Sequence, residues 1–331
     1  MDTPKHTHLE ANFDRNLALE LVRVSEAGAL AASRWTGRGK KNEADGAAVE
    51  AMRRAFDSVA IDGTVVIGEG EMDEAPMLYI GEKVGSGGPA MDIAVDPLEG
   101  TTITAKGGPN AMTTVALAEH GNFLHAPDIY MDKIAVGPGL PPGVVDLDAP
   151  VGENLLNLAK AKQIDIGDLI LCTLDRDRHA ELIAKAREAG ARIMLMGDGD
   201  VSGVIMAAQI NSGVDIFVGS GGAPEGVLAA AALRCLGGQM QGRLLFEDEA
   251  QIVRARGMGV TDPKRKYDLA EMAKGDVMFA ATGVTTGPML RGVRRFATGA
   301  ITHSIVMRSK SGTVRYVEAH HNFTTKTWQP K

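Results

Sequence analysis

The sequence predicts an α/β protein, with an α+β N-terminal half and an α/β C-terminal half. Residues 168 to 236 alternate apolar, strand-like runs with helix-like segments, which is typical of parallel strands joined by helices. The N-terminal half begins instead with two helix-like stretches followed by β-branched runs. At 331 residues, of which 44% are hydrophobic, the chain can form one large domain or two closely packed ones.

In the N-terminal half, the first predicted helix has Asn12 or Asp14 as its cap and carries Leu17, Leu21 and Val24 on one face. A second helix is predicted in "ADGAAVEAMRRAFDSV", where apolar residues recur at three- and four-residue steps. Strands are predicted in "GTVVIGEG", "MDIAVDP" and "MTTVALAEH". Residues 1–13 are predicted to form a flexible leader.

In the C-terminal half, the predicted strands are "DLILCTL", "RIMLMGDGD" and "DIFVGSGG". Helices are predicted from His179 to Glu188, from Ser202 and from Pro224. The proline-rich stretch "VGPGLPPGVVDLDAP" is the predicted boundary between a domain of residues 14–145 and a domain of residues 146–331. Further along, "VMFAATGV" and "ITHSIVMRS" are predicted strands that rejoin one of the two sheets.

Composition argues against several classes of protein. Lys and Arg total 35 against 42 Asp and Glu, the net charge is -7, and no long basic run offers a surface for nucleic acid. The N-terminal stretch is polar, so the sequence predicts neither a signal peptide nor a membrane anchor. Cys172 and Cys235 stand in apolar runs, which favours two reduced, buried thiols in a cytoplasmic protein over a disulfide.

Acidic residues occur in four clusters, each at the end of a predicted strand or the start of a helix. Carboxylates that are brought close together repel one another, and bound cations or shifted protonation must offset the cost. Oxygen ligands of this kind suit Mg²⁺ or Mn²⁺. Taken singly, each acid is more often a solvated turn residue than a metal ligand. The clustered acids are Glu43, Asp45, Glu69, Glu71, Asp73, Glu74, Asp96, Glu99 and Glu225.

The motif "DPLEGT" is more specific than the other three clusters. Pro97 stiffens the turn, Glu99 follows Asp96 by three residues, and Gly100 lets the backbone approach a ligand just before the Thr101 hydroxyl. A glycine-bounded acidic loop lies about 25 residues upstream. The combination favours a metal site over a solvated turn.

Other segments could hold a phosphate. "VGSGGAPEG" is a strand, a glycine turn and a helix start, so free backbone N–H groups would face an anion. Arg176 and Arg178 follow a strand, and guanidinium groups suit phosphate; alternatively they only pair with Asp175 and Asp177. In "GDGD", Asp198 and Asp200 could cap a helix, accept from sugar hydroxyls or bind metal.

Taken in order, these motifs resemble the class II fructose-1,6-bisphosphatases of bacteria, from about Asp14 to about Phe323. The motifs are "GRGKKNEADGAAV", "VVIGEGEMDEAPMLYIGEKVG", "DIAVDPLEGTT", "APDIYMDK", "DGDV" and "GGAPEG". The resemblance implies the layered α-β-α-β-α sugar-phosphatase fold that this family shares with inositol monophosphatases. It also implies metal-dependent, lithium-sensitive activity, with metal bound by the first domain and substrate by the second.

Position by position, the resemblance implies a role for each matching residue. Asp45 and Glu69 would bind one metal ion. Asp96, Glu99 and Glu225 would bind another. Asp73 and the Thr101 hydroxyl would orient and deprotonate the attacking water. The implied substrate contacts are Lys41, Glu99, Gly100, Thr101, Tyr130, Arg176, Asp177, Arg178, Asp198, Gly199, Asp200 and Gly222.

The expected reaction is therefore hydrolysis of the 1-phosphate of fructose 1,6-bisphosphate in gluconeogenesis, with two or three Mg²⁺ or Mn²⁺ ions per subunit and a homodimer or homotetramer. Asp177 departs from the family, which often has proline there, and the loop "GSGGPAM" is shorter than in relatives that also accept sedoheptulose 1,7-bisphosphate. Three alternatives stay open. They are such a bifunctional enzyme, an inositol-type sugar monophosphatase, and a metal-binding sensor without turnover.

Overall fold

A computed structural model of the chain describes residues 6–70 and 75–325. The α-helices are α1 (His6–Ala32), α2 (Lys41–Phe56), α3 (Thr101–Lys106), α4 (Val151–Lys162), α5 (Ala180–Glu188), α6 (Asp200–Ala208), α7 (Ala223–Leu236), α8 (Glu249–Gly257) and α9 (Leu269–Met272). Short 3-10 helices cover Ser33–Trp35, Ile166–Asp168, Asp177–His179 and Ser309–Ser311.

Two β-sheets form the frame of the molecule. The strands are β1 (Asp62–Ile67), β2 (Lys83–Val84), β3 (Ala90–Glu99), β4 (Met112–Glu119), β5 (Tyr130–Val136), β6 (Ile170–Leu174), β7 (Arg192–Met196), β8 (Ile216–Gly222), β9 (Gln239–Leu245), β10 (Lys266–Asp268), β11 (Val277–Gly283), β12 (Arg294–Phe296), β13 (Gly299–Arg308) and β14 (Thr313–Asn322). The eight-stranded sheet has the order β12-β13-β11-β4-β3-β1-β2, with β14 paired to β13. The six-stranded sheet has the order β10-β9-β5-β8-β6-β7.

Side-chain alternation along the strands builds five layers. On β3, Ile93 and Val95 pack with α1 and α2 on one face of the larger sheet, whereas Ala94 packs toward α6 and α7 on the other. On β5, Met131 joins that central core, whereas Ile134 packs with α4 and α5 outside the smaller sheet. The order is thus α1 and α2, larger sheet, α6 and α7, smaller sheet, α4 and α5, and the α/β class with α-β-α-β-α layering is confirmed.

The two sheets do not follow the halves of the chain. Strand β5 lies before the predicted boundary near residue 145 but pairs with β8 and β9 in the smaller sheet. Strands β11 to β14, from the C-terminal half, complete the larger sheet. This agrees with the prediction that two late strands rejoin one of the sheets. Pairing between distant strands leaves little trace in local periodicity. The division into domains of 14–145 and 146–331 stays a prediction.

The N-terminal helix begins earlier than the sequence predicted. Helix α1 begins at His6, so residues 6 to 13, assigned to the leader by sequence, continue the helix upstream of the predicted caps. Leu9, Glu10 and Ala11 favour helix, which explains why the helix does not begin at Asn12.

Cys172 and Cys235 are free and buried, as predicted. Across the described residues, none of the helices has the length and apolar character needed to cross a membrane.

Candidate active site

The candidate active site is a cavity of about 540 Å³ between the two sheets. It is bordered by the end of β3 and start of α3, the start of α6, and the junction of β8 with α7. Strand ends of an α/β fold commonly meet in this way, which brings distant acidic motifs to one place. Three of the four predicted acidic clusters contribute a side chain to the lining, namely Asp45, Asp96 with Glu99, and Glu225.

The "DPLEGT" turn presents two acids because the β3–β4 pairing becomes irregular between Asp96 and Glu99. Asp96 Oδ1 accepts a hydrogen bond from Leu98 N at 3.0 Å, which closes the turn around Pro97. Gly100 follows at φ 90°, a left-handed conformation that favours glycine, and α3 begins at Thr101. The predicted metal turn therefore has a rigid local geometry.

Glu99 links this turn to α6. Its Oε1 accepts a hydrogen bond from Val201 N at 2.8 Å, whereas its Oε2 is buried without a hydrogen-bond partner among the described residues. Gly199, at φ 88°, lies against the carboxylate, since a Cβ there would stand 3.5 Å from Glu99 Cδ. The N-terminus of α6 thus holds one oxygen of Glu99 and leaves the other unsatisfied.

Glu225 lies in the first turn of α7, and its carboxylate folds back over Gly222. A methyl group on Gly222 would overlap Glu225 Oε2, so this close approach requires glycine. Glu225 Oε2 is also buried without a hydrogen-bond partner in the part of the chain that the structure describes. A second carboxylate oxygen at the site is therefore unsatisfied, which is costly for a buried polar atom.

Asp45 and Glu69 complete what we call the carboxylate cluster. Their side chains are hydrogen bonded to each other. Burial, followed by repulsion from Asp45, raises the pKa of Glu69 to about 8, and burial raises the pKa of Asp45. The carboxylate cluster consists of Asp45, Glu69, Asp96, Glu99 and Glu225.

The other three members of the carboxylate cluster are shifted in the same direction. Burial, followed by the charge of Glu225, raises the pKa of Asp96 well above its usual range. Burial, followed by the charge of Asp96, does the same for the pKa of Glu99. Burial and the charge of Asp200 raise the pKa of Glu225 to about 6. Each group is destabilised as an anion, so a cation bound beside it would favour its ionised form.

The carboxylate cluster fits hard divalent cations. Its donors are all oxygens, two of them are buried without a partner, and the acids repel one another. Within residues 6–70 and 75–325, no group of three or more His, Cys, Asp or Glu side chains is already arranged to hold a metal ion.

Lys133 is a site residue that the sequence reasoning missed. Its side chain is fully buried, and its Nζ donates to Asp200 Oδ2 and, at 2.7 Å, to Gly222 O. The ammonium group thus neutralises Asp200 and ties α6 to the β8–α7 junction. The alternation of "YMDKIAV" contains the signal, because Lys133 shares the inward face with Met131 and Ala135.

Three other lining residues, Tyr130, Arg176 and Arg178, form what we call the arginine wall. Arg176 Nη2 donates to Asp198 Oδ1 at 3.3 Å. The Arg178 guanidinium lies over the Tyr130 ring, 4.8 Å from its centroid. Its Nη2 donates to Ser220 O at 2.8 Å. The alternative that these arginines only pair with Asp175 and Asp177 is therefore not what the structure has.

Most residues implied by the resemblance are brought together. Those that line the cavity are Asp45, Asp96, Glu99, Gly100, Thr101, Tyr130, Arg176, Arg178, Asp198, Gly199, Asp200, Gly222 and Glu225. Glu69 reaches the site through its hydrogen bond with Asp45. Lys41 and Asp177 are exposed and are not among the lining residues, although the charge of Lys41 reaches Asp45. Asp73 lies outside the described residues.

Some lining residues were not among the site residues predicted from the sequence. Asp128 precedes the arginine wall in the chain, and its charge acts on Glu225. Glu247 and Gln251 approach from the start of α8. Asp128 lies within the motif "APDIYMDK", whereas Glu247 and Gln251 lie in a polar stretch that nothing local distinguishes from a solvated loop.

Comparisons with known proteins agree on one family. Residues 15–321 match the family model described as "Bacterial fructose-1,6-bisphosphatase, glpX-encoded". The chain is 46% identical over 327 residues to the fructose-1,6-bisphosphatase 1 class 2 of Escherichia coli strain K12, covering 94% of this chain and 97% of that protein. The class 2 fructose-1,6-bisphosphatases of Escherichia coli O6:H1 and Shigella flexneri give the same identity and coverage.

Proposed function

The chain belongs to the bacterial fructose-1,6-bisphosphatase family, and from this premise we propose that it hydrolyses the 1-phosphate of fructose 1,6-bisphosphate. The products are fructose 6-phosphate and inorganic phosphate, a reaction of gluconeogenesis. The enzyme is a metal-dependent phosphatase, in line with its family. Relatives that are 46% identical to it are named for this substrate. The match covers 97% of their length.

One observation carries the proposal most directly. A single cavity of about 540 Å³ is lined both by carboxylates with unsatisfied oxygens and by guanidinium groups. Hydrolysis of a phosphate ester at one end of a bisphosphate needs cations at the reacting phosphate and a fixed positive surface for the second. The carboxylate cluster and the arginine wall supply these two requirements within one cavity.

We assign the carboxylate cluster to the metal ions. Asp45 and Glu69 would hold one ion, and Asp96, Glu99 and Glu225 another. When bound, the ions stabilise the negative charge that develops on the phosphoryl oxygens. Lys133 keeps Asp200 and the Gly222 carbonyl in place beside these ligands, so that the acids of α6 and α7 stay oriented toward the cavity.

We assign the attacking water to Thr101 and Asp73. Thr101 opens α3 directly after the "DPLEG" turn and lines the cavity, so its hydroxyl can orient a water beside the carboxylate cluster. Asp73 belongs to the acidic loop that begins at Glu69 and would accept the water's proton. The remaining substrate contacts are those that the resemblance implies, including the exposed Lys41 and Asp177.

The finer features of the enzyme are part of the same proposal. We take the ions to be Mg²⁺ or Mn²⁺, two or three per subunit, since carboxylate-only donors suit these ions. We further propose a cytoplasmic homodimer or homotetramer. Metal analysis of the purified protein and sedimentation velocity would test these points separately.

The test is phosphate release from a panel of compounds, measured with Mn²⁺, with Mg²⁺ and with EDTA. The panel contains fructose 1,6-bisphosphate, sedoheptulose 1,7-bisphosphate, fructose 1-phosphate and inositol 1-phosphate. We expect the highest kcat/KM for fructose 1,6-bisphosphate and no release in EDTA. Equal kcat/KM for fructose 1-phosphate would indicate a monophosphatase, and equal values for the two bisphosphates a bifunctional enzyme. The absence of release from every compound would overturn the proposal in favour of a metal-binding sensor.

A further inference from the structure

His179 lies behind the arginine wall and has no part in the function proposed above. Its side chain is buried, with 3% of its surface exposed, and it ends the short 3-10 helix Asp177–His179. It borders a second cavity of about 260 Å³, which is separate from the substrate cavity and is also lined by Asp132, Asn154 and Arg178. Arg178 lines both cavities.

The hydrogen bonds of the His179 ring fix its tautomer. Ser220 N donates to Nε2 at 2.8 Å, so Nε2 must be the unprotonated acceptor. Nδ1 therefore carries the proton and donates to Leu174 O at 2.8 Å. The Ser220 and Thr173 hydroxyls lie 3.2 Å from Nε2 and 3.4 Å from Nδ1. A neutral imidazole with one defined orientation results.

This ring replaces backbone pairing between two strands. The parallel pairing of β6 with β8 covers only Leu171 with Ile216 and Cys172 with Phe217. Ser220 lies beyond the paired stretch, and its amide donates to the imidazole instead of to a β6 carbonyl. His179 thus holds the end of β8 to the end of β6 at the level of the substrate cavity.

Ser220 in turn anchors Arg178. Arg178 Nε donates to Ser220 O and to Ser220 Oγ, each at 3.1 Å, and Nη2 donates to Ser220 O at 2.8 Å. One edge of the guanidinium is therefore bound, and Nη1 makes no hydrogen bond to the described residues. Because Arg178 borders both cavities, a loosened Ser220 would let the guanidinium turn toward the smaller cavity and away from substrate.

We propose that His179 is a positioning residue that, through Ser220, holds the Arg178 guanidinium toward the substrate cavity and so sets the affinity for the second phosphate of a sugar bisphosphate. The inference rests on the proposed function, because it takes Arg178 to contact that phosphate. It assigns to His179 no contact with substrate or with the reacting atoms. Its effect should therefore appear in KM for the bisphosphate and not in kcat.

Two amide substitutions test the two hydrogen bonds of the ring separately. His179→Gln places an amide oxygen near the position of Nε2, where it can accept from Ser220 N. His179→Asn is shorter and keeps only the partner near Nδ1, the Leu174 carbonyl. Both variants remove the imidazole and leave a buried amide, so they are matched in chemistry and differ in which hydrogen bond survives.

We expect His179→Asn to raise KM for fructose 1,6-bisphosphate about tenfold, with kcat and the KM for fructose 1-phosphate unchanged. His179→Gln should stay within about threefold of the unsubstituted enzyme. In an Arg178→Ala background, His179→Asn should have no further effect on KM, since the anchored group is gone. His303→Asn, at a histidine of β13 that stacks on Tyr316, is the control and should change neither KM.

Equal effects of His179→Asn and His179→Gln, equal changes in KM for both substrates, or additivity with Arg178→Ala would overturn the inference. If His179→Asn does not fold, the comparison of His179→Gln with Arg178→Ala keeps it testable, because a tenfold rise in the Gln variant contradicts it. Failure of the unsubstituted enzyme to release phosphate from any sugar phosphate would instead refute the proposed function.

Discussion

The carboxylate cluster and the arginine wall line one cavity, but they are stabilised in opposite ways. On the arginine wall, Arg178 is anchored by Ser220 and stacked on Tyr130, and Arg176 is paired with Asp198. In the carboxylate cluster, Glu99 and Glu225 each keep a buried oxygen without a partner among the described residues. The protein itself holds the two arginines in place, whereas it leaves two buried carboxylate oxygens unsatisfied among the described residues.

The difference indicates how the protein divides its tasks. A preorganised cationic surface can bind a phosphate without rearrangement, which favours affinity and orientation. A group of mutually repelling acids is destabilising until cations arrive, so metal binding should stabilise the fold as well as supply the chemistry. Substitutions on the two sides should therefore have distinct and partly opposite consequences.

The largest effect is expected for Asp96→Asn. Removing one ligand should lower kcat/KM by about 10³-fold. Removing one of several repelling charges should also raise the melting temperature in EDTA, where the unsubstituted protein is destabilised by repulsion. Phosphate release and thermal unfolding with and without Mn²⁺ check both expectations. A lower melting temperature in EDTA would mean that Asp96 is a structural acid.

Asp73→Ala separates chemistry from metal binding. We expect this variant to fold, to bind Mn²⁺ as the unsubstituted protein does, and to lose nearly all turnover, because the change removes the base and spares the ligands. Isothermal titration with Mn²⁺ and a kcat measurement are the tests. A normal kcat would contradict the assignment of Asp73.

Gly222→Ala should act on the carboxylate cluster without replacing any of its acids. The added methyl group overlaps Glu225 Oε2, and the flexible end of Glu225 should move away rather than the backbone. We expect Mn²⁺ affinity to fall by about tenfold or more with little loss of stability in EDTA. Gly46→Ala, where a Cβ meets nothing within 4 Å, is the control. Unchanged affinity would place Glu225 outside the metal site.

On the arginine wall, Arg178→Ala should raise KM for fructose 1,6-bisphosphate by about tenfold and leave Mn²⁺ affinity unchanged. The guanidinium group acts on the substrate and makes no hydrogen bond to the carboxylate cluster among the described residues. Steady-state kinetics at saturating Mn²⁺, together with a metal titration, measure both values. Loss of metal affinity would show that the two sides are not independent.

The smallest effect concerns pH and stability in the absence of metal. The pKa of Glu69 is raised from 4.5 to about 8 in the folded protein, so the folded state binds more protons than the unfolded state between these values. The contribution of Glu69 to stability is present below about pH 4.5 and is lost as the pH rises through 8. Melting temperatures in EDTA should thus fall by a few degrees over this range, and saturating Mn²⁺ should remove the trend.

Much of the site could be predicted because strand ends meet. Asp96, Glu99 and Glu225 each stand at the end of a strand or the start of a helix, and in an α/β fold such positions converge on one cavity. The alternation of strands with α5, α6 and α7 could also be predicted from the sequence. Local patterns were sufficient wherever the fold repeats a regular unit.

The parts that were not predicted depend on distant pairing. Lys133 has the appearance of an exposed charge, and only the partnership with Asp200, 67 residues away, allows it to be buried. His179 follows two arginines in a polar turn, and its role depends on Ser220, 41 residues away. The sheet to which β5 belongs is likewise decided by its register with β8 and β9.

The most direct test is a titration of EDTA-treated protein with Mn²⁺ in which bound ions and phosphate release from fructose 1,6-bisphosphate are measured on the same samples. The account predicts no release from the metal-free protein, and a rate that rises with the number of ions bound and levels off when the carboxylate cluster is filled. Release that is independent of bound Mn²⁺, or full binding with no release, would contradict it.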